Sequence, residues 1–219
     1  MHARIIDNGH APIEGTFVLD LGSSASVILN KPFVVEQQFL RARRPTMAWL
    51  EGRGLGGIAP GSVGRIQALE LGSYRIEDPV AAFSQADSGP LAAADVQGNI
   101  GAAVLEKFKV ILDYGRNRVI LEPNSRLAEP MEYNRSGLLL VSFGVDYRDY
   151  KIAAVAENSP ASESALKPGD ILLSINGRPS SDFSLTEIRR MFQESGECDL
   201  QLRRGTTTVR VKLKLRRLI

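Results

Sequence analysis

The segment Ile171-Leu172-Leu173-Ser174-Ile175 is bracketed by turns, with Pro168-Gly169-Asp170 leading in and Asn176-Gly177 leading out. A five-residue apolar run between such signals is a strand. Proline fixes one backbone torsion, glycine accepts torsions other residues avoid, and Asn-Gly suits the tightest hairpin turn. Similar punctuation recurs along the chain. Residues 16–19 form a short apolar run into Asp20-Leu21-Gly22-Ser23, and residues 65–71 end at Gly72. Residues 80–83, 138–143 and 152–155 are further strand candidates, and residues 110–112 and 118–121 flank a turn containing Gly115. The tail alternates, with Val209, Val211, Leu213 and Leu215 on one face and Arg210, Lys212, Lys214 and Arg216 on the other. That period of two reads as a half-solvated sheet face, not a nucleic-acid patch. The expected fold class is mainly β.

Few segments read as helix. Residues 102–108 place Val104, Leu105 and Phe108 at helical spacing. Ser184-Leu185-Thr186-Glu187 is a capping box that opens a helix with Leu185, Ile188 and Phe192 on one face. Ser159-Pro160 can start a short third helix.

Between Glu122 and Ser136 the chain is polar and carries two prolines, too poor in apolar residues to form core. This divides it into residues 1–125, a linker over 126–135, and residues 136–219. Charge is nearly balanced, with 27 basic against 25 acidic residues, so nothing favours nucleic acid or an anionic membrane as partner. No apolar run approaches the roughly 20 residues that cross a bilayer. A single cysteine, Cys198, excludes an intramolecular disulfide and any multi-cysteine metal site. Both histidines, His2 and His10, lie at the start of the chain, which argues against a Ser or Cys hydrolase. The first residues have no apolar leader. The protein is therefore cytoplasmic, or a leader precedes this sequence and it is periplasmic or secreted.

Asp20 ends an apolar strand and enters a glycine turn, so its carboxylate is held where backbone N–H groups can point at it. Two such carboxylates side by side cannot both ionise cheaply; they share a proton, and one serves as base while the other serves as acid. Asp20, Gly22, Ser23, Val27 and Ile28 resemble the signature of the pepsin/retropepsin aspartic proteases: an apolar strand, Asp-Thr/Ser-Gly, small residues, then an apolar pair. The resemblance implies Asp20 as a catalytic residue, supported by its loop neighbours Leu21, Gly22 and Ser23. Leu21 departs from the pattern, since the family's Thr or Ser hydroxyl there braces two active-site loops across the dyad. Six glycines lie between residues 52 and 64. By resemblance Gly54, Leu55, Gly56 and Gly57 correspond to the flap that closes over a bound peptide. Gly98-Asn99-Ile100-Gly101, then Leu105, Phe108 and Asp113-Tyr114, resembles the element that supports the catalytic loop.

Residues 136–217, with Glu157-Asn158-Ser159-Pro160-Ala161 and then Ala165 through Gly177, resemble bacterial PDZ domains, small β-sandwiches or barrels with two helices. These bind extended peptides, often C-terminal ones, between a strand and a helix. The resemblance assigns Gly137, Leu138, Leu139 and Leu140, continuing to Val141, to the carboxylate-facing loop and strand. It assigns Leu185 and Ile188 to the facing helix.

These resemblances imply one aspartic-protease-like β lobe followed by a PDZ domain. The expected partners are a polypeptide substrate, a peptide or protein C-terminus, and a second lobe. One lobe carries one catalytic aspartate, and the chemistry needs two. The other comes from a second copy of this chain or from an upstream half of a longer protein. No metal or cofactor is implied. The competing expectation is a catalytically degenerate, peptide-binding scaffold, with Leu21 as its mark.

Overall fold

In the computed structural model the described residues are 1–7, 11–41, 44–49, 52–54 and 57–219. They divide into two compact units, residues 1–131 with Ile219, and residues 132–218. The fold is mainly β.

In the first unit, β1 (His2–Ile6) and β2 (Ile13–Asp20) pair antiparallel. Then come β3 (Val27–Leu29), helix α1 (Lys31–Glu36), and the two-residue strands β4 (Met47–Ala48), β5 (Arg53–Gly54) and β6 (Gly57–Ile58). They are followed by β7 (Gly61–Arg65), β8 (Ala68–Leu71), β9 (Tyr74–Glu77), β10 (Val80–Ser84) and β11 (Gly98–Gly101). Nine of these strands form one sheet, in the order β4-β7-β10-β3-β11-β2-β1-β8-β9. Its core contains Phe17, Phe33, Phe39 and Phe83, whose rings meet in sequence at centroid distances of 6.3, 5.4 and 5.9 Å. Each ring is almost wholly removed from water, which stabilises the unit by roughly 2–3 kcal/mol per side chain.

Two expectations change here. Residues 65–71 are not one strand: β7 pairs with β10, whereas β8 pairs with β1 and β9. Ile66, 1% exposed, turns the corner between them into the core. The helix α2 covers only Ala102–Leu105, because Phe108 already begins β12 (Phe108–Asp113). Lys107, between the two, is buried and its ammonium donates to the carbonyls of Arg126 and Glu129. β12 pairs with β13 (Arg118–Pro123) as a hairpin. Asp113 caps the turn, accepting from the Arg116 amide at 3.2 Å and from Arg118 Nε at 2.8 Å, so Asp113-Tyr114-Gly115 is turn chemistry.

Residues 126–135 are divided between the units and do not run free. Leu127 and Met131 pack against the first core, whereas Arg135 N–H donates to the Phe192 carbonyl in the second.

The second unit is a six-stranded antiparallel sheet with two helices. Its elements are β14 (Leu138–Phe143), β15 (Asp149–Val155), α3 (Pro160–Glu163), β16 (Ile171–Ile175), β17 (Arg178–Pro179), α4 (Leu185–Met191), β18 (Gly196–Arg204) and β19 (Thr207–Leu215). The order is β14-β15-β16-β18-β19, with β17 on β16. β14 is therefore an edge strand. Both helices start with a capping box, Ser159 with Ser162 and Ser184 with Glu187. Tyr150 is fully buried, and its hydroxyl donates to the Phe183 carbonyl at 2.6 Å. On β19, Leu213 and Leu215 are buried while Arg210, Lys212 and Lys214 are exposed, as the alternation requires.

Candidate functional site

The geometry around Asp20 starts from β2. Phe17 points into the core and anchors the strand, and Asp20 is its last residue, half-buried. One carboxylate oxygen, Oδ1, accepts N–H bonds from Gly22 at 3.0 Å and from Ser23 at 3.1 Å. The carbonyl of Asp20 accepts from the Ser23 amide as well, at 3.3 Å. Oδ1 is thereby fixed in direction, and no side-chain cation is bonded to it among the described residues.

The loop is held by β11, which lies between β2 and β3 in the sheet, parallel to the first and antiparallel to the second. Gly101 is the register partner of Asp20. Its amide donates to the Ser26 carbonyl at 2.8 Å, and the next two amides, Ala102 and Ala103, donate to Ser23 and Ala25. The start of α2 thus ties down the backbone carbonyls of the loop. Gly98 serves the same packing: a Cβ there would lie 1.9 Å from the Ile28 carbonyl oxygen. The sequence pattern grouped these glycines with the loop but could not show that they sit beside it in the sheet.

Leu21 is 56% exposed and bonds nothing by its side chain. Of the residues expected to form a flap, Gly54 and Gly57 face each other across the β5–β6 ladder. Leu55 and Gly56 lie outside the described residues. The base of this ladder continues through the Ala59 amide, which donates to Gly52 at 2.6 Å. The Ala59 carbonyl and the Trp49 ring together leave no room for a Cβ at Gly52.

A cleft of about 640 Å³ opens elsewhere in the first unit, lined by His2, Leu19, Tyr74, Leu112 and Val119 among others. It borders Leu19 but excludes the Asp20 carboxylate, so volume and chemistry do not coincide. Among the described residues no group of three or more His, Cys, Asp or Glu could hold a metal ion, and no helix is long and apolar enough to cross a membrane.

In the second unit, Gly137 has φ +76°, and a Cβ on it would meet the Ser159 side chain at 2.2 Å. Glycine is needed there on both counts. Leu138, Leu139 and Leu140 are buried at 3–7% exposure, so their side chains belong mainly to the protein interior. Ile188 corrects the expected groove: at 0% exposure it is sealed in the core and presents no surface to a ligand. Leu185, one turn earlier, is half-buried and does present some. Asn134 was not singled out in the sequence. It bonds the loop ahead of β14 through four contacts, and the spacing Asn-Arg-Ser-Gly is the signal that could have found it, since Asn side chains fold back on backbone amides two and three residues on.

Comparison with known proteins bears on the second unit. Residues 151–204 match the family model of the PDZ domain, and the second unit contains a PDZ domain. No curated protein sequence is similar to this chain. Among solved structures, the HtrA3 PDZ domain bound to a phage-derived ligand (FGRWV) is similar at 21% identity, over 36% of this chain and 81% of that one, with a TM-score of 0.33. A retropepsin-like aspartic protease from Rickettsia conorii is similar at 18% identity, over 55% of this chain and 79% of that one, with a TM-score of 0.36. The HtrA-type protease AlgW S227A variant with a decapeptide is similar at 11% identity, over 97% of this chain and 73% of that one, with a TM-score of 0.38.

Proposed function

We propose that the chain is an aspartic endopeptidase module with a PDZ domain that captures or positions peptides. The observation that carries this reading is the Asp20 carboxylate, held at a strand end by the Gly22 and Ser23 amides, beside a parallel strand whose glycine is its register partner. An ordinary Asx turn needs the two amides; it does not need a threaded strand and a helix start to pin the loop behind it.

In this reading Asp20 takes a proton from a water molecule as that water attacks the scissile carbonyl carbon. The carboxyl of a second aspartate, from another lobe, gives its shared proton to the carbonyl oxygen. Collapse of the tetrahedral intermediate returns a proton to the leaving amine. The Gly22 and Ser23 amides keep one oxygen of Asp20 directed while the other faces the water. The second lobe is a second copy of this chain or an upstream half. The flap around Gly54 and Gly57 would cover the substrate.

Leu21 supports a second reading, a peptide-binding scaffold without catalysis, because an exposed leucine cannot supply the hydroxyl that braces paired loops. Incubating the purified protein with an unstructured polypeptide at mildly acidic pH separates the two. Cleavage that disappears in Asp20→Asn supports the peptidase. No cleavage by protein shown to be paired supports the scaffold.

A further inference from the structure

We infer that the groove beside β14 accepts extended segments without capturing a terminal carboxylate, because the Asn134 and Ser136 side chains already occupy the donors such a carboxylate would need. The inference rests on the peptide-binding reading of the PDZ domain.

Three successive amides lead into β14, those of Ser136, Gly137 and Leu138. Asn134 Oδ1 accepts from Ser136 N–H at 2.9 Å and from Gly137 N–H at 3.1 Å. It also accepts the Ser136 hydroxyl at 2.6 Å, and that hydroxyl oxygen in turn accepts Leu138 N–H at 3.0 Å. On its other side Asn134 Nδ2 donates to the Leu138 carbonyl at 2.7 Å. All three amides are therefore satisfied by side chains of the loop itself.

A buried N–H needs an acceptor, and an empty carboxylate site ordinarily leaves that to water, which a ligand displaces. Here the acceptor is covalently tethered and cannot diffuse away. A ligand carboxylate must first break the three bonds that hold these amides, and the displaced Asn134 must find new partners. The loop cannot relax around a second acceptor either. Gly137 is pressed against Ser159, and the carbonyls of Ser136 and Gly137 are taken by the Ala161 and Ala156 amides. Beyond Leu138, whose own N–H and carbonyl the loop takes, no strand among the described residues pairs with the outer edge of β14, and strand addition needs only backbone groups and side-chain pockets.

The test uses the full chain and a panel of fluorescent ten-residue peptides. Each sequence is made as a free acid, as a C-terminal amide, and extended past its C-terminus by a Gly-Ser tail. Binding is read by polarisation. The expected result is affinities within about threefold across the three formats, and in Asn134→Ala a preference of about tenfold or more for the free acid. Asn134→Asp, which keeps an acceptor at the same place, is expected to remain indifferent to format or to disfavour the free acid, and guards against misfolding of the alanine variant. A free-acid preference of about tenfold in the unaltered protein overturns the inference while leaving peptide binding intact. Absence of binding in every format overturns the peptide-binding reading and the inference with it.

Discussion

Gly101 lies beside Asp20 in parallel register, and a Cβ on Gly101 would approach the Ala25 carbonyl oxygen to 2.3 Å and the Ser23 carbonyl oxygen to 3.0 Å. The backbone of Gly101 has φ −97°, which any residue adopts, so space and not torsion requires glycine here. The carboxylate, its loop and the strand beside it are consequently one packed object.

Gly101→Ala is therefore expected to push the loop carbonyls away and disturb the two amides that direct Asp20. Overpacking of this kind costs about 1–3 kcal/mol. Thermal unfolding followed by fluorescence of Trp49, the only tryptophan and a residue of the first unit, should show the loss. An unchanged melting temperature would mean that the loop yields freely.

Leu21→Thr should act in the opposite sense. Leu21 is mostly exposed, so the substitution removes little packing, and stability should stay within about 0.5 kcal/mol. The new hydroxyl restores the group that the resembled family uses across its dyad. A rise of about tenfold or more in cleavage rate, at unchanged melting temperature, is the expected outcome. A flat rate would show that bracing at this position does not limit the reaction.

Asp170 and Arg204 make a testable pair in the second unit. The Asp170 side chain is 2% exposed and takes both Nε and Nη2 of Arg204, at 2.7 and 2.6 Å, together with the Lys167 amide. The hydrogen bonds from Arg204 hold its carboxyl below the usual carboxylate range, against the opposing effect of burial. A depressed folded value means the pair contributes its full stability above the unfolded value, about pH 4, and loses it as pH falls further through the folded value. Asp170→Asn should weaken the unit by about 3 kcal/mol near neutral pH and flatten its acid dependence. Hydrogen-exchange protection of the β15 and β18 amides reports this unit alone. A variant that keeps the steep acid loss would assign that loss to other carboxylates.

What could be read in advance follows how local each signal is. The Asp20 turn, the hairpin around Gly115, the capping box at Ser184 and the strand before Asn176-Gly177 are each set by residues within a few positions, and the structure contains all of them. Helix α1 was not foreseen: Pro32, Val34 and Val35 sit in its six residues, too short a stretch for a helical period to show. The corner at Ile66 was hidden because both flanking strands are apolar and their partners lie far away in the chain. The insertion of β11 between β2 and β3 pairs residues some 80 positions apart, which no local pattern encodes. Ile188 illustrates the same limit at a site: one helix face serves both core and groove, and only packing decides which residue does which.

The most direct test of the account is the pH–rate profile for cleavage of an unstructured polypeptide by the unaltered protein and by Asp20→Asn, with equal folding of the two checked by their melting temperatures. The account predicts an acid-shifted profile for the unaltered protein, from a proton shared between two carboxylates, and a loss of at least about 10³-fold in the variant. Cleavage that persists in Asp20→Asn would contradict it.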